Sequence, residues 1–129
     1  MRLEELPSVS VPEGATIDYE ANLVVVSATG ASTPLAGTDL DALTLTVVHG
    51  YSGEVINDRD EQDVLNTNGV TVNSQGRLVW RVTPEDTAIV NDALTEEPHR
   101  CQFRWTYGAK AGSYEFVLLV QNTPRPEGA

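Results

Sequence analysis

The sequence predicts an all-β fold, a β-sandwich of about seven short strands with one short helical crossover. Three observations lead to this prediction. Apolar and polar residues alternate with a period of two along much of the chain, as half-buried strands require. Glycine, proline and asparagine residues separate these runs at short intervals, which is typical of a sandwich. The length of 129 residues suits one domain.

The chain divides into three predicted parts. Residues 1–14 are polar and contain Pro7 and Pro12, and proline disfavours helix, so we expect an extended N-terminal arm. Residues 15–121 form the sandwich domain. Residues 122–129 are polar and rich in proline, and we expect a C-terminal tail outside the core.

The predicted strands follow from their alternation. In residues 101–107, Cys101, Phe103, Trp105 and Tyr107 share one face, while the other face is polar. Where the runs are short, their β-branched residues also favour a strand. Together these patterns place strands at residues 17–26, 43–48, 70–72, 77–82, 101–107 and 114–120.

Two details refine this picture. In the last strand Val117 and Leu119 make the second face apolar as well, so we expect a neighbouring segment to cover it. Trp80 and Trp105 are expected to form the central aromatic packing, because each side chain buries a large area.

The helical crossover is predicted near residues 84–94. Thr83 is a suitable N-cap, Pro84 suits the first helical position, and Glu85 and Asp86 favour the positive end of the helix dipole.

Charge and composition restrict the function. The net charge is −11, whereas binding to nucleic acid or anionic membranes requires clustered Lys and Arg. We therefore expect no direct binding to nucleic acid or to a membrane. The single cysteine, Cys101, excludes an internal disulfide and favours a reducing cytoplasm. The first residues lack the apolar run of a secretory signal, and no apolar stretch is long enough to span a membrane.

Two segments are candidates for binding other proteins. The arm offers Leu3, Leu6 and Val9. The acidic loop, residues 57–63, offers Asp58, Asp60 and Asp63 as part of a surface matching a basic partner. The alternatives for the loop are a solvated surface and a calcium site; its spacing does not fit an EF-hand, and we predict no metal and no cofactor.

Catalytic residues are sparse. Ser52, close to His49 in the sequence, could mimic a nucleophile with its base, but such a pair is defined by geometry and not by sequence position, and no nucleophile-elbow motif surrounds it. His99 lies in a polar loop, and Cys101 heads an apolar face. We therefore predict a non-enzymatic protein and keep a small hydrolase only as a formal alternative.

Three segments resemble those of a known family. They are the turn at residues 30–38 with Pro34-Leu35-Ala36-Gly37, the strand at residues 76–87 ending in Thr83-Pro84-Glu85-Asp86-Thr87, and the late strand Gly112-Ser113-Tyr114-Glu115-Phe116. Over residues 15–121 this order resembles the Ig-like modules of tailed-phage virion proteins, such as the N-terminal domain of upper baseplate proteins. The extra aromatic strand within residues 96–111 departs from that pattern and favours the head surface or neck over the baseplate.

The resemblance implies a structural subunit of a virion, assembled in the bacterial host cytoplasm. Its partners would be capsid, portal, neck or tail proteins, contacted in symmetric copies through sheet edges, the arm and the acidic face. The alternative is a bacterial surface adhesion or carbohydrate-binding sandwich.

Overall fold

The computed structural model describes residues 6–90 and 95–122. The described residues confirm the all-β prediction. No helix within these two ranges is long and apolar enough to cross a membrane. The strands in chain order are β1 (Ser8–Pro12), β2 (Ile17–Asn22), β3 (Val24–Val26), β4 (Ser32–Pro34), β5 (Ala42–His49), β6 (Gln62–Asp63), β7 (Val70–Val72), β8 (Arg77–Val82), β9 (Glu96–Tyr107) and β10 (Lys110–Gln121).

The larger sheet has the order β1-β10-β9-β5-β6. Its centre is the long hairpin of β9 and β10, in which Tyr107 pairs with Lys110 at the turn. β5 lies antiparallel to β9. β1 is the exception, because it runs parallel to β10 with Ser8 opposite Val117.

The smaller sheet has the order β2-β8-β7, and all its neighbours are antiparallel. β7, in the place of the strand predicted at residues 70–72, is an edge strand. The turn before it contains Asn68 and Gly69, both with positive φ, at 53° and 90°, as a tight turn requires. β3 and β4 form a separate two-stranded hairpin.

The strand order is that of an Ig-like sandwich. With the β3–β4 hairpin set aside, β2, β8 and β7 are the second, fifth and fourth strands of the Ig order, and they form the smaller sheet. β5, β9 and β10 are the third, sixth and seventh strands, and they share the larger sheet with a short additional strand, β6. This division of strands between two sheets is that of the Ig fold. In this protein the first strand, β1, pairs with the last strand, β10, so one edge of β2 has no partner among the described residues.

Aromatic side chains join the two sheets. Trp80 on β8 is fully buried and meets Phe103 and Phe116 edge-on, at ring-centroid distances of 5.9 and 6.1 Å. Burial of a large apolar side chain stabilises a fold by about 1.5–3 kcal/mol. Trp80 has the central place predicted for it. Trp105 is only half-buried, because it lines an open groove.

The predicted helical crossover is wrong for residues 84–90. Residues 84–87 form an isolated turn, closed by the Asp86 N–H donating to the Thr83 carbonyl (2.9 Å). Residues 91–94 of the predicted helix lie outside the described residues.

The helix fails to propagate because its hydrogen-bonding groups have other partners. In a helix the Val90 N–H would donate to the Asp86 carbonyl four residues earlier. Instead the Asp86 carbonyl accepts a hydrogen bond from His99 Nδ1 (2.9 Å), and the Val90 N–H donates to Glu97 Oε2 (2.9 Å). Two buried side chains of β9 thus replace the helical bond.

The predicted arm is extended, but its described part belongs to the sheet. Ser8–Pro12 is β1, and Val11 is buried in the core. The boundary predicted at residue 15 therefore does not separate an arm from the domain, because the β10 edge accepts this segment as a strand. At the other end the Asn122 N–H donates to the Thr95 carbonyl (2.9 Å), and residues 123–129 of the predicted tail lie outside the described residues.

Candidate protein-interaction surface

An open groove of about 490 Å³ lies between the two sheets, on the side where β2 faces β9 and β10. We call it the lateral groove. Its lining is mostly apolar and aromatic, which is typical of binding sites. The apolar and aromatic residues that line it are Tyr19, Ala21, Leu23, Val24, Leu78, Phe103, Trp105 and Tyr114.

A stack of rings forms one wall of the lateral groove. Tyr19 lies parallel to Phe116 with ring centroids 4.0 Å apart, and Tyr114 stacks on the same Phe116 at 5.8 Å. The Tyr19 hydroxyl donates to the Tyr114 hydroxyl oxygen (3.3 Å). Burial, and then the hydrogen bond with Tyr114, raise the pKa of Tyr19 well above its ordinary value. The Tyr19 hydroxyl therefore stays protonated and donates this hydrogen bond at the groove wall.

Trp105 reaches the lateral groove because glycine lies opposite it. Gly112 pairs with Trp105 across the β9–β10 hairpin. A Cβ at residue 112 would be 2.5 Å from the indole, closer than any real contact. The absence of a side chain at residue 112 thus allows the indole to lie at the groove wall.

One edge of β2 has no partner strand among residues 6–90 and 95–122, and this free edge borders the lateral groove. The Arg81 N–H donates to Gly69 and the Arg77 carbonyl accepts from Asn73, so these β8 residues direct their backbone toward β7. Alternate residues of an antiparallel strand bond to opposite sides. It follows that the backbone N–H and C=O groups of Asp18, Glu20 and Asn22 point away from β8, toward the free edge.

The side chains of this edge are charged but locally neutralised. Glu20 Oε1 lies 2.9 Å from Arg77 Nη2, and Asp18 Oδ1 lies 3.3 Å from Arg81 Nε. All four side chains are about half exposed or more, so each pair contributes little to stability. Charged side chains on an edge strand discourage indiscriminate pairing.

A second, smaller hollow of about 340 Å³ lies on the outer face of the larger sheet. Leu6 is buried there beside Val117 and Leu119, so the apolar second face of the last strand is covered as expected. Tyr51, which is 70% exposed, stands at its rim.

The arm residues of the sequence prediction fall in different places. Leu3 lies outside the described residues. Leu6 is 8% exposed and therefore serves the fold, while Val9 on β1 is 37% exposed. The structure does not bring Leu6 and Val9 together as one binding surface.

The acidic loop presents its three aspartates to solvent. Asp58, Asp60 and Asp63 are all exposed. Asp63 Oδ1 accepts the Leu65 N–H (3.2 Å), which is a local turn contact. Within residues 6–90 and 95–122 no group of three or more His, Cys, Asp or Glu side chains is arranged to hold a metal ion.

Arg59, in the middle of the acidic loop, points into the core. Its Nε lies 2.6 Å from Asp86 Oδ1, and both side chains are nearly inaccessible. The guanidinium also lies over the Trp80 ring, 5.5 Å from its centroid. Sequence reasoning missed this pair, because a charged run does not show which residue turns inward; the one available signal was the Thr83-to-Asp86 capping spacing.

The environment of Asp86 keeps it ionised. Burial alone raises the pKa of its carboxyl, but hydrogen bonds from Arg59, Asn57 and the Thr83 N–H outweigh burial and lower the pKa below its ordinary value. The carboxylate thereby fastens the acidic loop to the turn at residues 83–87.

His49 and Ser52 do not form a nucleophile–base pair. His49 Nδ1 accepts the Ser52 backbone N–H (3.0 Å), and Ser52 Oγ accepts the Glu54 N–H (3.2 Å). Cys101 is fully buried, and burial raises the pKa of its thiol far above the ordinary value. His99, predicted in a polar loop, is fully buried in β9.

Comparison with known proteins adds little to this description. No protein-family model matches the sequence, and no match to a curated protein was found. Among solved structures the chain is similar to a chimeric titin Z1Z2 functionalized with a KLER exogenous peptide from decorin. The two share 18% identity over 92% of this chain and 89% of the other, with a TM-score of 0.43. The Ig-like class of this protein rests on its own strand order.

Proposed function

We propose that this protein is a non-enzymatic structural subunit of a tailed-phage virion, at the head surface, neck or tail, and that it binds an extended segment of another virion protein along β2. The observation that carries the binding mode is that, in the part of the chain that the structure describes, the β2 edge beside the lateral groove has no partner strand. A bound strand gains backbone hydrogen bonds from such an edge and side-chain contacts from the adjacent groove. The virion assignment is supported by the motif resemblance over residues 15–121.

The occupant is expected to be basic. The chain has a net charge of −11, so the long-range field attracts positive segments and opposes self-association. A partner strand with apolar side chains at alternate positions would direct them toward Tyr19, Trp105 and Tyr114.

The test uses one residue of the free edge. Glu20→Pro removes the outward N–H of residue 20, and proline is tolerated on edge strands whose N–H faces solvent. Glu20→Ala is the matched control, because both variants lose the exposed Glu20–Arg77 pair and only Glu20→Pro loses the donor. Binding is measured by co-sedimentation with purified heads and tails of the phage, with the mass of the free protein determined by light scattering.

We expect wild type and Glu20→Ala to co-sediment in a fixed ratio and Glu20→Pro to lose at least about tenfold in affinity, since it loses a hydrogen bond and strand geometry. Binding unaffected by Glu20→Pro would reject the β2 edge. A wild-type protein that never associates with particles, or that forms dimers through this edge, would reject the virion proposal.

An adhesion or carbohydrate-binding module is the second candidate, favoured by the exposed aromatic wall of Tyr114 and Trp105 in the lateral groove. A bound sugar would contact the rings of Tyr114 and Trp105 and would not need hydrogen bonds to the backbone of the β2 edge. Binding of soluble oligosaccharides that survives Glu20→Pro and is lost in Tyr114→Ala would support this candidate.

A further inference from the structure

Three titratable side chains are buried together at one end of the larger sheet. His49 on β5 is 5% exposed, and Glu97 and His99 on β9 are fully buried. His49 and His99 are direct partners in the β5–β9 register. The binding mode proposed above makes no use of this cluster.

Glu97 and His99 form a pair without net charge. His99 Nδ1 faces the Asp86 carbonyl, which can only accept, so Nδ1 carries a proton. His99 Nε2 and Glu97 Oε2 are 2.5 Å apart and share one further proton. Whichever of the two holds that proton, the charges of the pair cancel.

His49 is held in the opposite arrangement. Its Nδ1 accepts the backbone N–H groups of Tyr51 (3.3 Å) and Ser52 (3.0 Å), so Nδ1 carries no proton. The proton of the neutral ring therefore lies on Nε2. That nitrogen is 3.3 Å from Glu97 Oε1, with an alignment too poor for a hydrogen bond.

Adding a second proton to His49 conflicts with this geometry in two ways. A proton on Nδ1 would meet two N–H donors where an acceptor is required. The new charge would also be buried beside a carboxylate, Glu97, that His99 already neutralises. Among residues 6–90 and 95–122 the other ring that faces His49 is Tyr51, edge-on at 5.8 Å, and it supplies no counter-charge. The carboxylate of Asp86, whose carbonyl accepts from His99, is already paired with Arg59.

The turn that follows His49 includes one more carboxylate. Glu54 is exposed, and its carbonyl, not its side chain, accepts the His49 N–H (2.8 Å). An open turn that admits water would relieve both conflicts at His49.

We infer that His49 is an acid-sensitive latch for the tip of the turn at residues 50–53, which it holds closed at neutral pH and releases as the pH falls. Imidazole is the side chain that normally changes charge between about pH 5 and 8. The inference is independent of the proposed function.

The opening is confined to the tip. The base of the turn keeps three backbone bonds that do not involve the imidazole: Gly53 N–H to the His49 carbonyl (2.8 Å), His49 N–H to the Glu54 carbonyl (2.8 Å), and Gly50 N–H to the Pro98 carbonyl (2.7 Å). Tyr51 at the tip lines the outer hollow, so release of the latch changes the rim of that hollow.

NMR on the ¹⁵N-labelled full chain tests the latch directly. Long-range ¹H–¹⁵N spectra of the imidazoles are expected to show His49 with its proton on Nε2 at pH 7.5. As the pH is lowered from 7.5 to 5, the Tyr51 and Ser52 amides should shift together with the His49 ring signals and lose about tenfold of their hydrogen-exchange protection, corrected for intrinsic rates.

His49→Asn is the control variant, because the amide oxygen can accept the same N–H groups in an Asx turn and carries no ionisable proton. In this variant the Tyr51 and Ser52 amides should be insensitive to pH over the same range. The latch is rejected if the wild-type ring stays neutral down to pH 5, if it titrates without moving these amides, or if the amides respond equally in both proteins.

Discussion

Asp86 joins two separate segments of the chain through one carboxylate. It accepts hydrogen bonds from Arg59 and Asn57 of the acidic loop and from the Thr83 N–H of its own turn. Removing one partner of a buried pair leaves the other unpaired, and this costs about 3–5 kcal/mol. A single side chain thus determines how the acidic loop lies against the core.

The Asp86→Asn variant should be destabilised by about 3–5 kcal/mol at pH 7, and the difference from wild type should shrink in acid. The folded-state pKa of Asp86 is lowered, so its contribution to stability is complete above the unfolded value near 3.9. That contribution is lost as the pH falls through the folded value. Denaturant titrations at pH 7, 5, 4, 3 and 2 give the free energy of unfolding for both proteins.

The exposed pair of Asp18 and Arg81 supplies the control. Asp18→Asn should change the stability by less than about 1 kcal/mol at every pH, since the pair is solvated. If Asp86→Asn and wild type kept a constant difference from pH 7 to 2, the carboxylate of Asp86 would not be the group that titrates.

At the scale of elements, β1 shows how a strand can be hidden from sequence reasoning. Pro7 precedes it, Pro12 is its last residue, and Val9 and Val11 are its only aliphatic side chains besides that proline, so the alternation is too short to predict pairing. The edge of β10 from Val117 onward accepts it in parallel register. A tertiary partner 109 positions away along the chain, as between Ser8 and Val117, supplies what the local pattern lacks.

Val11 and Val9 allow the role of β1 to be measured in matched variants. Val11 is 1% exposed and Val9 is 37% exposed. Val11→Ala should lower the free energy of unfolding by about 2–3 kcal/mol, from lost burial and the cavity left behind. Val9→Ala should lower it by less than about 1 kcal/mol. Equal, small effects in chemical denaturation would mean that β1 is detached from the sheet in solution.

The strands that the sequence predicted well are those whose information is local. The alternation in residues 77–82 and 101–107 placed Leu78, Trp80 and Phe103 on the core side, where they are buried. The helix predicted near residues 84–94 had good local signals too. It fails in its described part because Glu97 and His99 compete for its backbone groups, and such competition is invisible to capping rules.

The candidate site was less accessible to prediction than the fold. The strand predicted at residues 17–26 is divided in the structure into β2 (Ile17–Asn22) and β3 (Val24–Val26), and nothing local shows that one edge of β2 lacks a partner strand among the described residues. That edge exists because β1 pairs with β10 instead. The orientation of Arg59, inward from a loop of acids, likewise follows from Asp86, 27 positions later in the chain.

For the molecule as a whole, the charge is concentrated in one half of the sequence. Residues 1–64 contain twelve of the nineteen acidic residues. Exposed acids far from a binding groove still influence association, because their summed field steers a charged partner before contact. The acidic loop and the lateral groove therefore have separable roles in recognising one basic partner, the first in the rate of encounter and the second in retention.

This separation makes a kinetic prediction for the virion partner of the proposed function. Replacing Asp58, Asp60 and Asp63 by Asn should lower the association rate constant several-fold at low salt and leave the dissociation rate nearly unchanged. Above about 0.3 M salt the difference should disappear, because screening then acts within a few ångströms. Stopped-flow or surface-binding measurements across ionic strength provide both rate constants.

The control changes the same number of charges elsewhere on the surface. Replacing the exposed acids Asp39, Glu54 and Glu85 by Asn, Gln and Gln removes the same number of negative charges. If the acidic loop lies on the approach path of the partner, this control slows association less than the loop variant does. Equal slowing by both variants would show that only the total charge matters, and the loop would then have no place in the interface.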